Sequence, residues 1–106
     1  MNRAESALQI WQVLIAAAHN RQTLTYEMLG DLINLPHFSL GYPLDRVQNH
    51  CKSNDLPPLT SLVVSKETGR PAGGYEPVID DSADRESVYK HAWYRERPRQ
   101  VADFDE

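Results

Sequence analysis

The sequence predicts a small α+β domain with three helices, a short β-hairpin and an added C-terminal helix. Three observations carry that expectation. Apolar residues recur with helical spacing from Arg3 to about His19, and again in two shorter stretches before Asn54. The paired prolines Pro57-Pro58 then stop the helical part. The adjacent apolar residues Leu62, Val63 and Val64 follow, and after them a turn-rich loop from Lys66 to Tyr75.

In the first helix, Leu8, Trp11, Ile15 and Ala18 form one row with Ala7 and Leu14 beside it, and Ala16-Ala17-Ala18 add helix propensity. Asn20-Arg21-Gln22 is a polar break. Thr25 is a suitable N-cap for a second helix opening at Tyr26, with Glu27 near its positive end. A capping box would require Glu or Gln where Met28 stands. Met28, Leu29, Leu32 and Ile33 supply its apolar face, and Pro36 marks its end. His37 to Tyr42 reads as a connection that bends at Gly41. Pro43 suits a first helical turn, so a third helix is expected from Pro43 to about Ser53, with Leu44, Val47 and Cys51 on one row.

Leu59 to Ser65 is the best strand candidate. Lys66-Glu67-Thr68-Gly69 reads as a turn, and Arg70 to Tyr75 as a loop or short return strand. Asp80-Asp81-Ser82 is placed to cap a last helix from Ala83 to about Arg97, ended by Pro98. Val88 and Ala92 share one of its faces, and Tyr89 and Trp93 another. Three helices followed by a strand and a flexible loop suggest a winged-helix-like domain over residues 1–98. Residues 99–106 read as an acidic, mobile tail from which Val101 and Phe104 can dock back.

With 106 residues, the chain is sized for one domain, and 41% hydrophobic with 25% charged residues is ordinary for a globular protein. No apolar run approaches the roughly 20 residues that span a bilayer. The N-terminus lacks a signal-peptide pattern, so no membrane partner and a cytoplasmic location are expected. A single cysteine, Cys51, excludes an internal disulfide framework and any multi-cysteine metal site. The net charge of −4 is unevenly placed: Met1 to Tyr75 carries six acids and six bases, and Glu76 to Glu106 nine acids and five bases. A basic footprint for nucleic acid, if there is one, is therefore local.

Arg46 and Lys52 on the third helix, and Lys66 and Arg70 around the expected wing tip, are the candidate phosphate contacts. Asp45, Asp55 and Glu67 are interleaved with them, so an ordinary solvated face is the competing reading. Trp93 and Tyr94 lie among Tyr89, Lys90, Arg95, Arg97 and Arg99, a mixture suited to base stacking or a protein hot spot. In the other reading Tyr89 and Trp93 cover the first helix while the arginines stay solvated, and for Trp93 this core packing is the favoured one. His50 and Cys51 are neighbours on a helix and point about 100° apart, so they form no dyad; Cys51 reads as a small core residue. His19, His37, His50 and His91 have no metal-ligand spacing. Asp80, Asp81 and Asp84 lack the pattern of a calcium loop and read as helix-start acids. No constellation of nucleophile, base and oxyanion donor is visible. A non-enzymatic binding module without cofactor or metal is therefore expected.

The order of features also resembles a known family. Thr25-Tyr26 opening the second helix, Arg46-Val47 in the third, and Val63-Val64 followed by Gly69 and Gly73-Gly74-Tyr75 are similar to the DNA-binding domain of alkylguanine-DNA alkyltransferases and alkyltransferase-like proteins. The resemblance covers Leu24 to Tyr75, about half of the chain. It implies a winged helix-turn-helix whose recognition helix enters the minor groove, with Arg46 near the family's duplex-propping arginine, although the flanking small residues differ. The family's Pro-Cys-His-Arg-Val motif is missing: Leu59-Thr60-Ser61-Leu62 stands before Val63-Val64, with Thr60 near the acceptor position. A threonine without an adjacent base is a poor nucleophile, so alkyl transfer is not expected. The expected function is a DNA-binding regulator or accessory factor using helix 43–53 and wing 66–75. The alternative is an acidic protein–protein adaptor or inhibitor, of the kind mobile elements carry.

Overall fold

The computed structural model describes residues 2–71 and 73–105; Met1, Ala72 within the expected wing and Glu106 in the expected tail lie outside the described residues. The chain is a small α+β domain with helices α1 (Arg3–His19), α2 (Tyr26–Ile33), α3 (Gly41–Ser53) and α4 (Asp81–Lys90). Two-residue strands β1 (Leu24–Thr25) and β2 (Val63–Val64) pair in parallel, Leu24 opposite Val63 and Thr25 opposite Val64.

α1 is the central element and packs against α3, the turn at 59–62 and the C-terminal turn at 101–104. It opens with a capping box: the Asn2 side chain accepts from the Glu5 amide at 2.9 Å, and the Glu5 carboxylate accepts from the Asn2 amide at 3.0 Å. Its buried face is Ala4, Ala7, Ile10, Trp11, Leu14, Ala17 and Ala18. The expected row was rotated: Leu8 and Ile15 are half-buried at its margin, and Ile10 lies at its centre. The large Trp11 ring fits either reading, and the buried Ala4 and Ala7 extend the face toward the start of the helix.

Thr25 caps α2 as expected, its hydroxyl accepting from the Met28 amide at 3.1 Å. The buried face of α2 is narrower than expected. Leu29 and Ile33 are inside, whereas Met28 and Leu32 face outward. An eight-residue helix packed along one line has room to bury only an i, i+4 pair. α3 starts two residues earlier than expected and buries Leu44, Val47 and Cys51. Residues Arg21, Asn34 and Asp55, all at positive φ, close α1, α2 and α3. In each case the next amide donates back into the last turn at 2.9 Å, from Gln22 to Ala17, Leu35 to Gly30 and Leu56 to Cys51.

The expected strand from Leu59 to Ser65 is mostly a 3-10 turn, Leu59–Leu62, and only Val63 and Val64 are extended. All six residues from Leu59 to Val64 are buried, and Pro58 leads straight into the turn. The hairpin is reduced to a turn closed by one antiparallel bridge, Val64 to Pro71, with the Ser65 amide donating to the Arg70 carbonyl at 2.9 Å. Gly74 sits at φ 79°, where a Cβ would come within 2.5 Å of Leu44 Cβ. Gly74→Ala is expected to cost about 1–3 kcal/mol from strain and overpacking, read as a lower urea midpoint.

The last helix also departs from expectation, ending at Lys90 rather than near Arg97. Trp93 then enters a 3-10 turn, and its indole folds back onto α1. A continuous helix would hold Trp93 in line with Tyr89, away from that site. Ala92, expected to share a buried face with Val88, is exposed. Residues 99–105, expected as a mobile tail, are packed: Phe104 is buried against Trp11 and His50, at ring separations of 6.0 and 5.0 Å. The docking that Val101 and Phe104 made possible outweighs the local acidity. Among the described residues, no helix is long and apolar enough to cross a membrane.

Candidate functional site

α2, the 3-10 turn His37–Ser39 and α3 follow one another in the chain and carry most of the candidate residues. The outward side of α3 presents Tyr42, Asp45, Asn49 and Lys52, spaced so that one row runs along the helix. Each of the four basic candidates has a local partner. Lys52 Nζ lies 3.3 Å from Glu76, Lys66 Nζ 4.0 Å from Glu27, and Arg70 Nε 3.0 Å from Asp81. The Arg70 guanidinium holds the Asp81 carboxyl below the usual carboxylate range. Arg46 donates from Nη1 to the Phe104 carbonyl at 2.8 Å, and so tethers the C-terminal segment. The structure places Arg46 and Lys52 on α3, and Lys66 and Arg70 beside the turn after β2. Ion pairs this exposed contribute about 0–1 kcal/mol, so they open easily. Their acids still cancel the field that attracts phosphate.

The same region carries unusual apolar exposure. Of the seven large apolar side chains exposed among the described residues, four (Met28, Leu32, Phe38 and Tyr42) fall from α2 to the start of α3. Phe38 is 81% exposed. Beside it Leu35, Phe38, Tyr42 and Pro43 line a groove of about 390 Å³, and Arg3 stacks on the Tyr42 ring at 3.7 Å. Leu32 and Met28 were expected in the core, so this surface was hidden from sequence reasoning. The signal for it was Phe38, an aromatic in a connection between helices.

The two aromatic candidates separate. Tyr94 is 63% exposed, its ring 5.7 Å from His19. Trp93 is 3% exposed, meets Trp11 edge-on at 5.4 Å and donates from Nε1 to the Val88 carbonyl at 2.8 Å. The partner-binding role expected for Trp93 is thus corrected to core packing against α1.

A buried polar network went unseen in the sequence. The Arg99 side chain is 3% exposed, with its guanidinium carbon 4.8 Å from the Trp11 ring centre. Its Nε donates to His50 Nε2 at 2.9 Å, its Nη1 to the Arg97 carbonyl at 2.7 Å, and its Nη2 to Glu96 at 3.3 Å. The other Glu96 oxygen lies 3.0 Å from His91 Nε2. Burial works against ionisation of Glu96, but the hydrogen bonds from His91 and Arg99 outweigh it and hold the carboxyl below its ordinary range. Desolvation, followed by the Arg99 charge, lowers the His50 pKa from its ordinary value. Residues 97–105 form a strap across α1 and α3, fastened by Arg99, Phe104 and the Arg46 hydrogen bond.

Asp84 lies in the first turn of α4, as expected of a helix-start acid. It is 2% exposed and accepts from the Tyr75 hydroxyl at 2.6 Å and from the amides of Val78 and Ile79 at 2.8 and 3.1 Å. Desolvation and this hydrogen bond raise the Tyr75 pKa well above its ordinary value. Cys51 is a core residue as expected, and burial pushes its thiol up to about 11, which leaves little thiolate near neutrality. Thr60, near the alkyl-acceptor position of the family the chain resembles, is buried and donates to Gln48 at 2.7 Å.

The fold and this surface define the chain as a small α+β domain with an exposed apolar face on α2 and the turn into α3. The chain matches no family model, no curated protein and no solved structure.

Proposed function

We propose that the chain is a non-enzymatic binding module that docks a protein partner on the face formed by α2 and the turn into α3. The observation that carries this reading is the concentration of exposed apolar side chains there: Met28, Leu32, Phe38 and Tyr42. Fully burying one such side chain contributes about 1.5–3 kcal/mol, whereas an exposed ion pair contributes about 0–1 kcal/mol. Apolar anchors therefore outweigh the basic side chains as a source of affinity on this face. Charge argues the same way, because Lys52, Lys66 and Arg70 each have an acidic neighbour.

A second reading, docking on DNA, is favoured by the outward row of α3, where Asn49 and Lys52 are placed as a groove-reading helix would place them. It also draws on the resemblance to alkyltransferase DNA-binding domains.

One pair of measurements separates the two. Fluorescence anisotropy with labelled duplex is run at about 50 and about 200 mM salt, between which phosphate-driven affinity falls steeply. In parallel, proteins retained by the wild-type chain are compared with those retained by Phe38→Glu, Leu32→Glu and the double variant Lys66→Glu with Arg70→Glu. The protein reading expects no salt-sensitive duplex binding, and a captured partner lost by Phe38→Glu and Leu32→Glu but kept by the charge reversals. Micromolar duplex binding that is abolished by the charge reversals and indifferent to Phe38→Glu would replace it with the DNA reading.

A further inference from the structure

We infer that the strap, residues 97–105, is an acid-released cover over α1 and α3, latched by a hydrogen bond that exists only while His50 is neutral. The shorter ring contact sets the assignment at the latch: Asn54 Nδ2 lies 3.5 Å from His50 Nδ1 but is spent on the His50 carbonyl at 2.8 Å. Arg99 Nε always carries a proton, and it lies 2.9 Å from His50 Nε2. His50 Nε2 must therefore be the lone-pair acceptor, and a neutral imidazole then carries its proton on Nδ1. Protonating His50 puts N–H against N–H and places two cations in one buried site.

The charges around His50 give no ready compensation. Desolvation and, from the strap, Arg99 and Arg97 oppose its protonation, and together they outweigh the Asp103 charge and a hydrogen bond to the Asp103 backbone, which favour it. Asp103 is already engaged by Arg97 through both carboxylate oxygens and by the Gln100 amide, which together hold its carboxyl far below the usual range. Glu96 is shared between Arg99 and His91. From α3, Arg46 adds a further positive charge at the trench of about 490 Å³ between α3 and the strap, where Asp105 also lies. From α1, the neighbouring group is the Trp11 ring, edge-on to His50 at 5.4 Å. Trp93 precedes the strap and is anchored independently by its bond to Val88, so release can stop there.

The sign follows from the depressed His50 pKa. Docking is complete above the ordinary histidine value of about 6.5 and is lost as pH falls through the lower value in the folded chain. Opening uncovers the Phe104 site on Trp11 and the buried α3 residue His50.

The test is an NMR titration of the intact chain, following the His50 ring together with backbone amides, with hydrogen-exchange protection factors at the same pH values. The expected result is that protection of the Asp103 and Asp105 amides is lost with the His50 midpoint, while Leu29 and Val47 remain protected. His50→Gln places an acceptor near the Nε2 position without a titrating proton, so the strap should stay docked at the lower pH. His91→Gln should leave the transition in place. The inference is overturned if strap protection does not follow the His50 midpoint in the wild type, if α2 and α3 lose protection along with it, or if a folded His50→Gln opens like the wild type. The wild-type titration decides the matter even if His50→Gln does not fold.

Discussion

Trp93→Ala is expected to lower the free energy of unfolding by about 3–5 kcal/mol, the range for deleting a buried aromatic. The indole is 3% exposed, packs edge-on against Trp11 and donates to the Val88 carbonyl, so the change both opens a cavity and leaves that carbonyl only the longer bond from the His91 amide at 3.3 Å. A small domain is stable by about 5–15 kcal/mol in total, so the variant should be marginal. The measurement is urea unfolding, with a lower midpoint at an unchanged slope. Trp93→Phe should retain much of the packing and lose the hydrogen bond, placing it between the wild type and Ala. If Trp93→Ala kept its stability and lost only a partner, Trp93 would be a surface anchor and the packing account would fail.

Asp84→Ala is expected to be the next most damaging change, at about 3 kcal/mol, because hydrogen bonds to a charged acceptor are worth about 1.5–3 kcal/mol each. One carboxylate gathers the Tyr75 hydroxyl and the amides of Val78 and Ile79, and so folds the 75–80 loop onto the start of α4. The loop can reach water once released, which keeps the loss below the sum of three such bonds. The accompanying sign is local: exchange at the Val78 and Ile79 amides should quicken well before the core of α1 is affected. Unchanged exchange at both amides would contradict the role of Asp84 as their anchor.

The sequence revealed helices more readily than surfaces. The limits of α1, the cap at Thr25 and the row Leu44, Val47 and Cys51 were legible because they rest on periodicity and local hydrogen bonding. Strand length was not, since Leu59–Leu62 coils into a 3-10 turn to fit the core, a tertiary effect that apolar character alone does not encode. Met28 and Leu32 misled for a related reason: four adjacent apolar positions on a short helix do not reveal which two find a neighbour. The buried charges were the least visible. Asp84 and Arg99 look like solvated side chains in the sequence, and only the fold assembles the donors and acceptors that make their burial tolerable. Local sequence also separates three of the four basic candidates from their acids, Lys52 from Glu76, Lys66 from Glu27 and Arg70 from Asp81, so these pairings emerged only in three dimensions.

The strap also has a consequence for the loops that the fold must close. Trp11 is walled by Trp93, Arg99 and Phe104, which are separated from it by most of the domain. Bringing such distant residues together costs more loop-closure entropy than the contacts among α1, α2 and α3, so the strap is expected to dock after those helices have packed. Until it does, the broadest aromatic face of α1 is bare, and the domain is more adhesive on the way to its fold than in it.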